Sequence, residues 1–272
     1  MKLHTILKHT QESLFDALLS KYQNAIFADN EYILVPGDIP LMLVAHLDTV
    51  HSEPPKTICS TEGGRILMSP QGIGGDDRCG VYALTRLYEC SEVHHPWLLF
   101  TCNEESGCLG ATAFAIDYLD NKLPKGLENL KLIIELDRKG NNDAVYYNCG
   151  NAELEDYITC MGWKTEWGSY TDICEIAPVL EVAAVNLSIG YYNQHTKGEY
   201  INLHEVDTII GRVMSIIFDI DELPRYEWRE SKYRYTPGKY TYGKYNNYGG
   251  WANSLDYVYS HNTAKKPVDY WK

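Results

Sequence analysis

The sequence of 272 residues has no apolar run approaching the ~18 residues that a membrane helix needs. It also has no Cys-x-x-Cys pair, and its eight cysteines, at 59, 79, 90, 102, 108, 149, 160 and 174, are scattered. In a chain this long, that spacing argues against a disulfide framework and for reduced thiols in a cytoplasmic protein. The opening residues Met1-Lys2-Leu3-His4-Thr5 lack the basic segment, apolar core and small-residue cleavage site of a secretory leader. Positive charge is scarce, with 24 Lys and Arg against 37 Asp and Glu and a formal net charge of −13. Phosphate binding wants a basic face, so no nucleic acid and no membrane is expected as a partner. What is present is an ordinary globular composition, 44% hydrophobic and 22% charged. Its length suits one large domain or two small ones.

The charge is unevenly spread. Residues 1–224 carry 15 Lys and Arg against 33 Asp and Glu, whereas residues 225–272 carry 9 against 4. That last stretch also holds 10 of the 22 tyrosines, repeats Gly-Lys-Tyr at 238–240 and 243–245, and shows neither a helical nor a strand period. Two zones follow: an acidic folded body over 1–224 and a basic, Tyr-rich C-terminal extension over 225–272. The extension is read as disordered or packed back onto the acidic body, with a lid or an oligomer contact as the other readings.

Within the body, hydrophobic periodicity predicts alternating elements. Helices are expected over 4–22, 77–90, 110–119, 152–161 and 203–220. Strands are expected over 25–27 and 32–35 as a hairpin, then over 41–45, 97–101, 132–136, 145–147 and 182–187. The runs at 41–45 and 97–101 are apolar at nearly every position, as in strands buried on both faces. The implied fold class is α/β, with a mostly parallel central sheet and helices on both faces. Functional groups in such sheets gather beyond the carboxyl ends of the strands.

Five segments at those positions carry chemistry. His46-Leu47-Asp48-Thr49 ends the first buried strand, and residues two apart on an extended chain share a side. His46 can bind a divalent metal through one nitrogen while Asp48 holds the other N–H. Gly72-Ile73-Gly74-Gly75-Asp76-Asp77 opens a helix; Asp77 is placed to cap it, which leaves Asp76 for another role. Cys102-Asn103-Glu104-Glu105-Ser106-Gly107 sets two adjacent carboxylates after an apolar strand, where they repel unless cations stand near. Asp137 sits at the tip of another buried strand, and His195 lies in a polar loop after the last. Each segment alone has a bland reading as a cap, a surface acid pair or a loop histidine. Together they supply two histidines and several carboxylates, a donor set that suits Zn²⁺, with Mn²⁺ or Co²⁺ as alternatives.

In this order, the segments His46–Val50, Gly72–Asp77, Asn103–Gly107, the Asp of Glu135-Leu136-Asp137-Arg138 and the late His195 resemble the co-catalytic di-zinc exopeptidases. That group contains the zinc aminopeptidases, peptidase T and the carboxypeptidase G-like enzymes. The match spans residues 41–215, and the resemblance implies a three-layer α/β/α core of the phosphorylase/hydrolase-like zinc peptidase type. Carried over position by position, it implies that Asp76 bridges two zinc ions per chain. His46 and Asp137 would complete one site, and Glu105 with His195 the other. Asp48 would orient His46, Glu104 would be the general base, and the Asp76–Asp77 peptide would be cis. Some branches insert a lid or dimerisation domain between the fourth and fifth segments. Only 57 residues separate Asp137 from His195 here, too few for one.

The resulting expectation is a cytoplasmic, zinc-dependent metallopeptidase that cuts a peptide or small amide, as an aminopeptidase or dipeptidase. The alternatives are a deacylase or carboxypeptidase-type amidohydrolase, or a non-catalytic binding module that keeps the fold. An inactive relative would be expected to lose Glu104 or a ligand, and all seven positions are kept. Oligomerisation stays open. An acidic rim attracts a free ammonium and repels a carboxylate, so a free N-terminus should be required. Carboxylates near the metals, Asp172 among them, are candidates to receive it. Arg138, after Asp137, could pair with a substrate carboxylate but is read as a salt-bridging residue. With no inserted domain, nothing obvious reaches over to clamp a C-terminal carboxylate, so C-terminal amidation should have little effect.

Overall fold

Leu41–His46 is apolar up to its last residue, and a strand of that kind must be covered on both faces. The computed structural model describes residues 1–61, 63–90 and 94–231 and sets this strand inside an eight-stranded sheet. In chain order the strands are β1 (Ile26–Ala28), β2 (Tyr32–Val35), β3 (Leu41–His46), β4 (Cys59–Ser60), β5 (Ile66–Met68) and β6 (Trp97–Thr101). They continue with β7 (Leu132–Arg138), β8 (Asp143–Val145), β9 (Lys164–Thr165), β10 (Ala184–Ser188), β11 (Tyr191–Tyr192) and β12 (Tyr200–Asn202). The α-helices are α1 (Leu3–Ile6), α2 (Gln11–Lys21), α3 (Gly75–Cys90), α4 (Leu109–Leu119), α5 (Ala152–Cys160), α6 (Ile173–Leu180) and α7 (Leu203–Asp219). The main sheet runs β1-β2-β6-β3-β7-β10-β8-β9. Its centre, β6-β3-β7-β10, is parallel, and β2 and β8 flank it antiparallel.

The strand period of two divides the interior into two cores. Leu41, Leu43 and Ala45 of β3 enter one, with Leu98 and Phe100 of β6 and Leu132, Ile134 and Leu136 of β7. Met42 and Val44, Trp97 and Leu99, and Ile133 enter the other. Helices α3 and α7 cover the first face, and α4 and α6 the second, which makes three layers. Each fully buried leucine contributes about 1.5–3 kcal/mol relative to exposure. The architecture is the mostly parallel α/β sheet that the alternation of elements predicted.

Local departures have local causes. The helix expected over 4–22 is two helices, because Thr10 caps the second by accepting the Ser13 N–H. Strands β11-β12-β5-β4 form a small second sheet of two- and three-residue pieces, too short to show a period in sequence. Helix α6, with Pro178 inside it, is absent from the expected periodic elements, although Asp172 before it reads in sequence as a helix cap. Residues 225–231, grouped by composition with the extension, run against the body: Val182 bridges Glu227, Cys149 bridges Glu230, and Tyr226 is buried. The remainder of the extension lies outside the described residues. All eight cysteines are free thiols. Among the described residues, no helix is long and apolar enough to cross a membrane.

Candidate metal centre

Parallel strands bring their carboxyl ends to one edge, and the chemistry-bearing residues come out there. β3 ends on His46, which follows Met42 and Val44 on the face covered by α4 and α6. β7 carries Asp137 on the same face, after Ile133 and Glu135. The turn after β6 presents Glu104 and Glu105, the entry to α3 presents Asp76, and the loop after β11 presents His195.

All seven sequence candidates meet in one volume. His46 Nε2 lies 3.2 Å from Asp76 Oδ1 and 3.6 Å from Asp137 Oδ1. His195 Nε2 lies 3.1 Å from Asp76 Oδ2 and 2.9 Å from Glu105 Oε1. Asp76 therefore turns one oxygen toward each histidine. Glu104 Oε2 stands 4.0 Å from His46 Nε2. On the other side of the ring, His46 Nδ1 is 3.2 Å from Asp48 Oδ1. The Asp48 oxygens also accept the N–H groups of Glu104 and Glu105, each at 3.0 Å. One carboxylate thus ties the glutamate turn to the histidine. His46 is buried and His195 is half exposed, so the site opens on the His195 side.

The aspartate pair is held from several directions. Asp77 Oδ1 accepts the Gly80 N–H at 2.9 Å and so caps α3, while its Oδ2 accepts the His46 N–H. Asp76 and Asp77 have non-helical backbone, and the peptide between them is cis. Glu199 is a support that sequence reading missed. It accepts the Gly74 and Asp76 N–H groups at 2.9 Å each and faces His51 Nε2 at 3.1 Å. A carboxylate after a polar loop carries no periodic signal, because its partners lie some 120 residues earlier. Gly72 and Gly74 have positive φ, and a Cβ on Gly72 would strike the His51 ring.

Further acids back the cluster. Glu135 is fully buried and accepts the Thr171 hydroxyl. Its only sequence signal is a charge inside an apolar strand, two residues before Asp137. Asp172 occupies the N-cap position of α6 without capping it, and accepts instead from the Thr101 hydroxyl. It has no exposed surface, so it backs Glu104 rather than meeting a substrate amine. Tyr191 donates its hydroxyl to Asp137 Oδ1 at 3.1 Å. Asn186 accepts the Asp137 N–H, which fixes the end of β7.

The protonation of this set shows its electrostatic demand. Burial, followed by the fields of Asp137, Asp172 and Glu105, pushes the Glu104 carboxyl up to about 9. Burial and Asp76 push Asp137 up to about 7, and burial pushes Asp172 up to about 6. Burial alone would lower His46, but Asp137, Asp48 and Asp76 hold it well above its ordinary value. Hydrogen bonding to Asp76 and Glu105 raises His195 to about 10. So many carboxylates can ionise together only with cations between them. Glu105 Oε1 is buried and has the His195 ring nitrogen facing it at 2.9 Å. Two groupings, His46-Asp76-Glu105 and His46-Asp77-Asp137, bring ligand atoms within 4.8 Å of one another. Asp77 has both oxygens engaged by backbone N–H groups, so Asp76 and Asp137 are the better ligands in the second region. The donor set fits divalent metal.

No protein-family model matches the sequence, and neither does any curated protein. Solved structures do share its fold. Aminopeptidase PepT from Bacillus cereus superposes with a TM-score of 0.59 at 14% identity, covering 80% of this chain and 97% of that one. A tripeptidase from Staphylococcus aureus gives 0.60 at 12%, covering 81% and 97%. The TET1 peptidase of Pyrococcus horikoshii, which can assemble into a tetrahedron or a large octahedral shell, gives 0.57 at 12%, covering 79% and 99%. At such identity the likeness is one of architecture: this chain has the α/β/α fold of these peptidases.

Proposed function

We propose that the protein is a metal-dependent aminopeptidase with two divalent ions, zinc in the first instance, held by His46, Asp76, Glu105, Asp137 and His195. The observation that carries this reading is the Asp76 carboxylate, with one oxygen toward each histidine and Glu104 alongside. The fold it shares with known aminopeptidases supports the same reaction class. Bound there, the ions supply Lewis acidity to the scissile carbonyl and to the attacking water. Glu104 takes a proton from that water on Oε2, the oxygen nearest His46, and returns it to the leaving amine. Burial first, and then the acids around it, raise the basicity of Glu104 for this task. Asp48 holds the His46 ring by Nδ1 and the glutamate turn by two N–H groups, so ligand and base move as one unit. The surplus of carboxylates at the open side suits a free substrate ammonium.

Eight free thiols support a cytoplasmic setting. Self-association is part of the same reading, by likeness to a shell-forming peptidase, and light scattering measures it. The direct test is hydrolysis of one tripeptide, free and N-acetylated, by the zinc-loaded chain. Cleavage of the free form alone, releasing the first residue, is expected. Cleavage of the acetylated form alone would make the protein a deacylase or carboxypeptidase, and cleavage of neither by a metal-loaded chain would make it a binding module.

A further inference from the structure

A cavity of about 540 Å³ adjoins the cluster, between the start of α2 and the turn after β3. Its wall includes His9, Gln11, Asp48, His51, Arg78 and Glu105, so it reaches two of the residues that build the centre. Arg78 stands in the first turn of α3, two residues after Asp76, and only 4% of it is exposed. Its Nη1 is buried with no hydrogen-bond partner. A buried guanidinium left in that state is costly, and five N–H donors in a planar fork match a carboxylate better than any other common group.

The acids near Arg78 do not answer this demand. Asp48 accepts two backbone N–H groups and faces His46. Asp77 caps α3 and accepts the His46 N–H. Glu12 is held by its own helix N-terminus and Thr10, Glu53 by Lys56 at 3.0 Å, and Glu105 faces His195. The histidines on the wall have settled partners as well, since His51 faces Glu199 and His9 Nδ1 lies 3.0 Å from the Ser13 hydroxyl. The N-terminus of α2, an 11-residue helix, opens beside the same cavity and adds a positive end.

We propose that this cavity is a carboxylate subsite, in which Arg78 receives an anionic group of the substrate while the scissile bond lies at the adjoining centre. The proposal rests on the aminopeptidase reading and narrows its substrate class to peptides with a carboxylate near the cleaved end. The carboxylate is either the C-terminus of a short peptide or an acidic side chain. The sequence-based expectation that amidation has little effect is replaced for short substrates.

The test uses the zinc-loaded full chain and four substrates: Leu-Gly-Gly, Leu-Gly-Gly-amide, Leu-Glu-Gly-amide and Leu-Gln-Gly-amide. In one of the two pairs, the carboxylate form should have a KM at least about tenfold lower, the scale of a charge-assisted bidentate contact. The first pair identifies a terminal carboxylate, the second an acidic side chain. Arg78→Gln should abolish that difference, and Arg78→Lys should restore part of it. Equal KM values within both pairs overturn the proposal, as does a difference that survives in a folded Arg78→Gln chain. Should Arg78→Gln not fold, the wild-type pairs decide. Calorimetric titration with glutarate reads the subsite without turnover, and binding should be lost in Arg78→Gln. Glutarate binding that needs Arg78, with no peptide cleaved, refutes the aminopeptidase reading and leaves the subsite standing. Cleavage without either a KM difference or Arg78-dependent glutarate binding refutes the subsite alone.

Discussion

Two adjoining regions at one edge of the sheet make opposite electrostatic demands. In the cluster, carboxylates from four segments face two imidazoles, and burial and neighbouring acids drive Glu104 and Asp137 toward protonation. In the cavity beside it, Arg78 is a buried cation whose neighbouring carboxylates are already engaged. The first region calls for cations and the second for an anion, a few residues apart in a chain of net charge −13. The sign of a site is therefore set by which groups have partners, not by the composition around it. An acidic body was expected to repel a substrate carboxylate; Arg78, on the cavity wall with its Nη1 unpartnered, reverses that expectation locally.

The comparison can be broken at its strongest point by Asp76→Ala. Removing the one carboxylate that faces both histidines should empty both metal positions and abolish turnover, as elemental analysis and peptide hydrolysis would register. His46→Ala should weaken mainly one position, and equal loss from both variants would remove the bridging role. Glu104→Gln should keep metal and fold but lower kcat by about 10²–10⁴-fold. Glu105→Gln should instead lose metal, so similar behaviour of the two would mean that the glutamate roles are misassigned.

A smaller effect is expected from Glu199→Gln, which leaves the ligands in place but weakens the grip on the Gly74 and Asp76 N–H groups. Metal affinity should fall by about 10–100-fold, measured by chelator competition. An unchanged affinity would make Glu199 a purely structural acid.

The gentlest test is the pH dependence of thermal stability. Glu104, Asp137 and Asp172 have folded values of about 9, 7 and 6, above the ordinary carboxyl range, and His195 is raised to about 10. Groups raised in the folded state bind more protons there than in the unfolded chain, so stability falls as pH rises through those values. The chelated protein should therefore melt progressively lower from about pH 4 to pH 10. The zinc-loaded protein should show a flatter profile, because cations replace the protons. Parallel profiles would mean that the cluster does not hold metal.

The sequence alone determined the alternation of strands and helices, the apolar central strands and the set of ligating residue types at strand ends. These features follow from short-range periodicity and from the rule that a parallel sheet gathers its carboxyl ends. The break at Thr10 and the short strands β4, β5, β11 and β12 were less legible, because a single cap or a two-residue strand leaves no period. Only the tertiary structure decided that Glu199 steadies the aspartate loop, that Asp172 is buried behind Glu104, and that Arg78 lacks a partner. Each of these depends on which polar atoms meet across long stretches of chain. Hydrogen-bond satisfaction is a property of three-dimensional neighbours, and a residue's identity and spacing do not encode it.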